Sequence, residues 1–159
     1  MGDFVCVKND RIERYPLAAS QTIAIGDPVA VDANGYVVLA DATSTPLLGV
    51  AARDCTSSAE GDEMLVYDDP DAEFECQADN VAQVLQAEVG DTCDLVVSSS
   101  TFYANLDATA VNVLKVLAIG QYMDPLRDGS TYYGSVLAGD WTPGWQSKNK
   151  LRVKIAQHV

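Results

Sequence analysis

The chain has 159 residues and a mass of 17.0 kDa, the size of one domain. Apolar residues make up 48% and charged residues 21%, a globular rather than a disordered composition. Ten Lys and Arg stand against 23 Asp and Glu, for a net charge of −13. That balance argues against nucleic acid as a partner, because phosphate neutralisation needs basic side chains. No apolar run reaches the ~18–20 residues that span a bilayer, so no membrane partner is expected. The opening MGDFVCVKNDRIERY lacks the apolar core of a secretory signal, and Cys6 stands where a myristoylation motif wants Ser or Thr.

In chain order, the first 20 residues carry Lys8, Arg11, Arg14, Tyr15 and Pro16. They hold one short strand-like run, 3–8, and no alternation after Val7. A segment with few partners of its own tends to order against a neighbour, so residues 1–20 are expected to be a docking segment. The competing expectation makes 3–8 an outer strand of the domain's own barrel. Residues 21–159 read as the β domain. Short β-like runs follow at 28–32, 36–40, 47–52, 63–68, 73–77, 93–97, 111–119, 132–138 and 151–157. Asn34-Gly35, between VAVD and YVVLA, predicts a hairpin with both central residues at positive φ. Gly-Asp recurs at 26–27, 61–62, 90–91 and 139–140, and three of the four precede a strand-like run; this is a turn device. One short helix is predicted after Asp79 or Asn80, over VAQVLQAEV, stopped by Gly90. The expected fold is all-β: a compact barrel or sandwich of short antiparallel strands with one short helix.

Charge is segregated. From Asp54 to Asp94 there are thirteen acidic residues and no Lys or Arg. Basic residues gather at the ends, at Lys8, Arg11 and Arg14, then Lys148, Lys150, Arg152 and Lys154. If both ends fold onto one face, that face is a basic docking surface on an acidic protein.

Little in the sequence asks for catalysis. The single His, His158, reads as a solvent-exposed tail residue rather than a base. Cys6, Cys55, Cys76 and Cys93 show no C-x-x-C spacing and three lie in strand-like contexts, so free thiols are expected. The cluster Asp68-Asp69-Pro70-Asp71 with Glu73 and Glu75 lacks the glycine and spacing of an EF-hand. It reads better as strand, solvated acidic turn, strand than as a metal loop or a carboxylate pair. Glu73, Glu75 and Gln77 then share one face, with Phe74 and Cys76 on the other. No catalytic residue, metal or cofactor is assigned. The segment YYGSVLAGDWTPGW brings Tyr132, Tyr133, Trp141 and Trp145 around a Gly/Pro turn. It is either core and turn packing or a loop that carries aromatics to an interface.

The stretch IAIGDPVAVDANGYVVLADATSTPLLGVAARD resembles the opening of tailed-phage capsid decoration (cement, head-stabilising) proteins. The matching features are Gly26-Asp27-Pro28-Val29, the turn at Gly35, and Pro46-Leu47-Leu48-Gly49-Val50. VYDDPDAEFECQAD and the terminal LRVKIAQHV are similar to stretches of podovirus-like virion structural proteins. The resemblance covers residues 20–97 and the C-terminal strand, and leaves 1–20 and the Trp-containing segment unmatched. It implies a non-enzymatic accessory protein on the outer capsid surface of the virion, assembled in the host cytoplasm, whose partner is the major capsid protein. It also implies a homo-oligomer, a trimer before a dimer. The residues expected at the capsid contact are Lys8, Arg11, Arg14, Tyr15, Trp141, Trp145, Lys148, Lys150 and Arg152. The alternatives are a tail or head-fibre module that binds host-surface glycan through Tyr132, Trp141 and Trp145, and a carboxylate-dependent hydrolase built on residues 68–75.

Overall fold

A computed structural model describes residues 4–79, 86–119 and 150–159. The protein is all-β, as its short alternating runs predict. The expected strand 132–138 and most of the expected helix lie outside the described residues. What is described of the helix is a single 3₁₀ turn, Gln86–Glu88.

Five strands close into a barrel in the order β2-β5-β4-β6-β8. They are β2 (Ile12–Leu17), β4 (Pro28–Val31), β5 (Val37–Leu39), β6 (Gly49–Ala51) and β8 (Asp62–Tyr67). β3 (Thr22–Ile23) and β7 (Cys55–Thr56) form a small antiparallel pair beside it. The barrel is filled by Leu17, Ile23, Val29, Val37, Leu48, Ala51, Met64 and Val66. Closure depends on one parallel bridge, Leu17 to Val37. At Gly49 a Cβ would stand 2.2 Å from the Tyr67 carbonyl oxygen and 2.7 Å from a Val66 methyl, so β6 and β8 approach each other through the missing side chain.

The remaining strands make a six-stranded sheet, β1-β9-β13-β12-β10-β11. These are β1 (Val5–Lys8), β9 (Glu73–Gln77), β10 (Thr92–Ser98), β11 (Thr101–Asn105), β12 (Leu114–Ile119) and β13 (Lys150–Ile155). An isolated bridge from Ala78 to Ala104 brings β11 back to the end of β9, so the sheet curls toward a second, less complete barrel. Phe74, Cys76, Leu95, Phe102, Leu114, Val116, Leu151 and Val153 fill its inner face. Ala30, Ala40, Leu47 and Val50 of the first barrel join the same core, so the two units share one apolar interior. On β9 the inner and outer residues alternate as expected, with Phe74 and Cys76 buried between partly exposed Glu73, Glu75 and Gln77.

One barrel strand, β2, was not visible as alternation. In β2, charged Glu13 and Arg14 and the ring of Pro16 break the pattern, yet the strand pairs with β8 from Ile12–Tyr67 to Leu17–Asp62. Pro16 is tolerated because most of β2 needs ladder bonds on one edge only. Residues 5–8 and 12–17 are thus strands of this fold, β1 on β9 and β2 on β8, and not a loose arm. Any partner meets this segment as a strand surface.

The Asn34-Gly35 hairpin forms between β4 and β5 but with a different turn. Asp32 N donates to Tyr36 O at 2.9 Å, which leaves a three-residue loop with Gly35 alone at positive φ, +88°. The Asp32 carboxylate selects this loop by accepting the N–H groups of Asn34 and Tyr36. The glycines of the three described Gly-Asp turns all have φ between 90° and 101°.

Candidate functional site

Asp68 is where the two units and the chain ends meet. It follows β8 and precedes the turn into β9, and it is 3% exposed. This corrects the reading of Asp68 as part of a solvated turn; that description fits exposed Pro70 and Asp71. Arg11, in the β1–β2 connection, places Nη2 2.8 Å from Asp68 Oδ1 and also donates to the Asp68 carbonyl. The Tyr15 hydroxyl, from β2, donates to Oδ2. His158 Nε2 lies 3.3 Å from Oδ1, and its side chain is 11% exposed. His158 is therefore packed into the junction and is not the exposed tail residue expected from its position. Leu47 holds it there, in a parallel bridge with His158. Burial, and then the hydrogen bond to Asp68, push the Tyr15 hydroxyl up to about 12.

The two ends of the chain do reach one sheet, because β1 and β13 lie on either side of β9. The resulting face is mixed in charge rather than basic, since β9 brings its carboxylates between the cations. Lys8 Nζ lies 3.8 Å and Arg152 Nη1 3.7 Å from the two oxygens of Glu73. Lys154 Nζ lies 3.4 Å from Asp71. Arg14 pairs with Glu63 at 3.2 Å on the barrel surface. The expected contact residues Lys8, Arg11, Arg14, Tyr15 and Arg152 are thus all engaged within the chain. Exposed pairs of this kind contribute ~0–1 kcal/mol each, so they shape the surface more than they hold the fold. Lys150 pairs opposite Gln77 in the β13–β9 ladder. Trp141, Trp145 and Lys148, with Tyr132 and Tyr133, lie outside the described residues.

Beside the cations, β1 presents Val5 at 56% and Val7 at 42% exposure. Phe4 and Phe74, edge to face at a centroid distance of 6.4 Å, anchor the strand from beneath. β1 is therefore an anchored edge strand with an apolar outer side, which its sequence FVCVK does not distinguish from a core strand.

The remaining polar features are structural. Buried Asp94 accepts the N–H groups of Ala110 at 3.0 Å, Val111 at 2.8 Å and Asn112 at 2.6 Å, and so pins the loop before β12. All four cysteines are free thiols, as expected; Cys76 and Cys93 are buried, while Cys6 and Cys55 are half-buried. Burial, with Asp94, Asp79 and Glu88 nearby, pushes Cys93 up to about 12, which leaves it a poor nucleophile. A small open cavity is lined by Glu88, Asp91, Thr92, Leu106 and Thr109. Among the described residues, no group of three or more His, Cys, Asp or Glu is arranged to hold a metal ion.

No protein-family model matches the chain, and no curated protein matches it in sequence.

Proposed function

We propose that this chain is a capsid decoration protein. It binds the outer surface of an assembled major capsid protein shell and stabilises the virion, as a trimer at threefold or quasi-threefold positions. The observation that carries the reading is the placement of the resembling motifs. Gly26-Asp27-Pro28-Val29 leads into β4, Gly35 lies in the turn from β4 to β5, and Pro46-Leu47-Leu48-Gly49-Val50 leads into β6, so the motifs share one patch of adjacent barrel strands, β5-β4-β6. The docking edge is β1, backed in the sheet by β9 and then β13. Val5 and Val7 supply apolar contact, and the Lys8–Glu73–Arg152 pairs form a polar rim.

Because those cations are already paired, docking depends on the valines more than on free charge and weakens only slightly with salt. Deleting 1–16 is a poor test, since it removes β1 and all of β2 but Leu17. Co-sedimentation with shells of the cognate major capsid protein, at low and high salt, uses the double variant Val5→Glu/Val7→Glu instead. The wild type co-sediments at both salt concentrations, and the folded variant loses at least tenfold in occupancy. Folded wild-type protein that stays in the supernatant at both overturns the proposal; wild-type-like occupancy of the variant overturns the assignment of the edge.

A further inference from the structure

The chain has a single Asn-Gly pair, Asn34-Gly35, and both residues are exposed. Such a pair has a chemistry of its own. Once base removes the Gly35 amide proton, the nitrogen can attack Cγ of the Asn34 carboxamide. A C–N bond forms to the backbone nitrogen and the C–N bond to the side-chain nitrogen breaks. That nitrogen leaves as ammonia, taking a proton from water. Water then adds to either carbonyl of the succinimide ring and opens it, to aspartate or to isoaspartate. Nothing is oxidised or reduced, and water is the co-reactant. Glycine obstructs the attack least, because it has no side chain.

The loop restrains the atoms that this reaction must move. Gly35 N–H donates to Asp32 O at 3.1 Å, so the proton that must leave is held by an acceptor and the peptide plane is fixed. On either side of Gly35, Asn34 N–H donates to Asp32 Oδ1 at 2.8 Å and Tyr36 N–H to the same oxygen at 2.9 Å. Asp32 N closes the loop on Tyr36 O at 2.9 Å, and Val31 pairs with Val37 just outside it. The N–H, carbonyl and carboxylate of Asp32 thus all bind residues 34–36. We propose that Asn34 is a deamidation site kept latent by Asp32. The closed loop withholds Gly35 N from Asn34 Cγ, and the reaction runs through the loop's opened state.

The product bears on the barrel. In isoaspartate the main chain runs through the former side chain and gains a methylene between residues 34 and 35. The three-residue loop then no longer fits the span from Asp32 N to Tyr36 O. The strand it positions, β5, closes the barrel through Leu17–Val37 and through the Ala18 N–H donated to Val37 O at 2.9 Å.

The experiment incubates the wild type, Asp32→Ala, Asp32→Asn and a synthetic peptide of residues 30–37 at mildly alkaline pH. Conversion at Asn34 is read by peptide mapping as a gain of one mass unit, with isoaspartate separated by chromatography. The folded wild type is expected to convert at least tenfold more slowly than the peptide, and to reach the peptide's rate in unfolding urea. Asp32→Ala converts at least threefold faster than the wild type. Asp32→Asn, whose carboxamide oxygen still accepts both N–H groups, stays within twofold of it. A folded wild type that converts at the peptide's rate overturns the proposal, as does one that stays slow when unfolded. Asp32→Ala as slow as the wild type, or Asp32→Asn as fast as Asp32→Ala, overturns the role given to the Asp32 hydrogen bonds. The outcome is independent of capsid binding.

Discussion

Ser99 and Ser100 occupy the centre of the β10–β11 hairpin with φ of 51° and 67°. Ser98 pairs with Thr101 directly across it, the geometry of a two-residue turn with both central residues left-handed. That conformation costs an ordinary residue ~1 kcal/mol or more, and Asn-Gly relieves most of it. Ser99→Asn/Ser100→Gly is therefore expected to raise the thermal midpoint by about 2–3 °C, read by calorimetry. The comparison with Asn34-Gly35 is instructive. The dipeptide that advertises this turn sits in a different loop, because the Asp32 carboxylate recruits the neighbouring N–H groups. The turn itself is made by two serines with no such signal.

Also at the residue scale, Tyr15 and Cys93 are both pushed up to about 12, from ordinary values of 10.0 and 9.0. Each is favoured in its neutral form by the fold and ionises earlier when unfolded. Their contribution is complete below about pH 9 and is lost as pH climbs from 9 toward 12. The urea midpoint is expected to fall over that window, and Tyr15→Phe to remove the part of the fall between about 10 and 12.

At the scale of the element, legibility follows how much of a strand's environment is written in its own residues. β4, β5, β9 and β13 each bury one face or both, so their apolar pattern announces them. β2 is mostly exposed, with only Leu17 buried, and owes its existence to β8. Asp94 is a similar case from the polar side. It reads as an ordinary charged residue of a β run, yet it accepts three backbone N–H groups from residues 110–112. Asp94→Ala strands those donors and is expected to cost about 3 kcal/mol by urea denaturation, with exchange rising first in the amides of 110–112. If the loop were held by packing alone, the loss would stay near 1 kcal/mol.

At the scale of the molecule, the chain's ends are fastened to its middle. β1 and β13 flank β9, and Arg11, Tyr15 and His158 converge on Asp68 between β8 and β9. The segregation of charge along the sequence was legible, but its outcome was not. Acidic middle and basic ends fold against each other, so the expected basic face becomes rows of ion pairs beside two exposed valines. The same long-range pairing hid the Asp68 junction, whose members lie at positions 11, 15, 68 and 158, with no local motif to join them. Removing the central carboxylate by Asp68→Ala is expected to lower the thermal midpoint by roughly 5 °C or more, since it takes away the partner of the Tyr15 hydroxyl and the charge opposite Arg11.

Electron cryo-microscopy of major capsid protein shells incubated with this protein tests the central claim most directly. The account predicts added density at threefold or quasi-threefold positions on the outer surface, with the β1 edge turned toward the shell. Bare shells at saturating protein would contradict it.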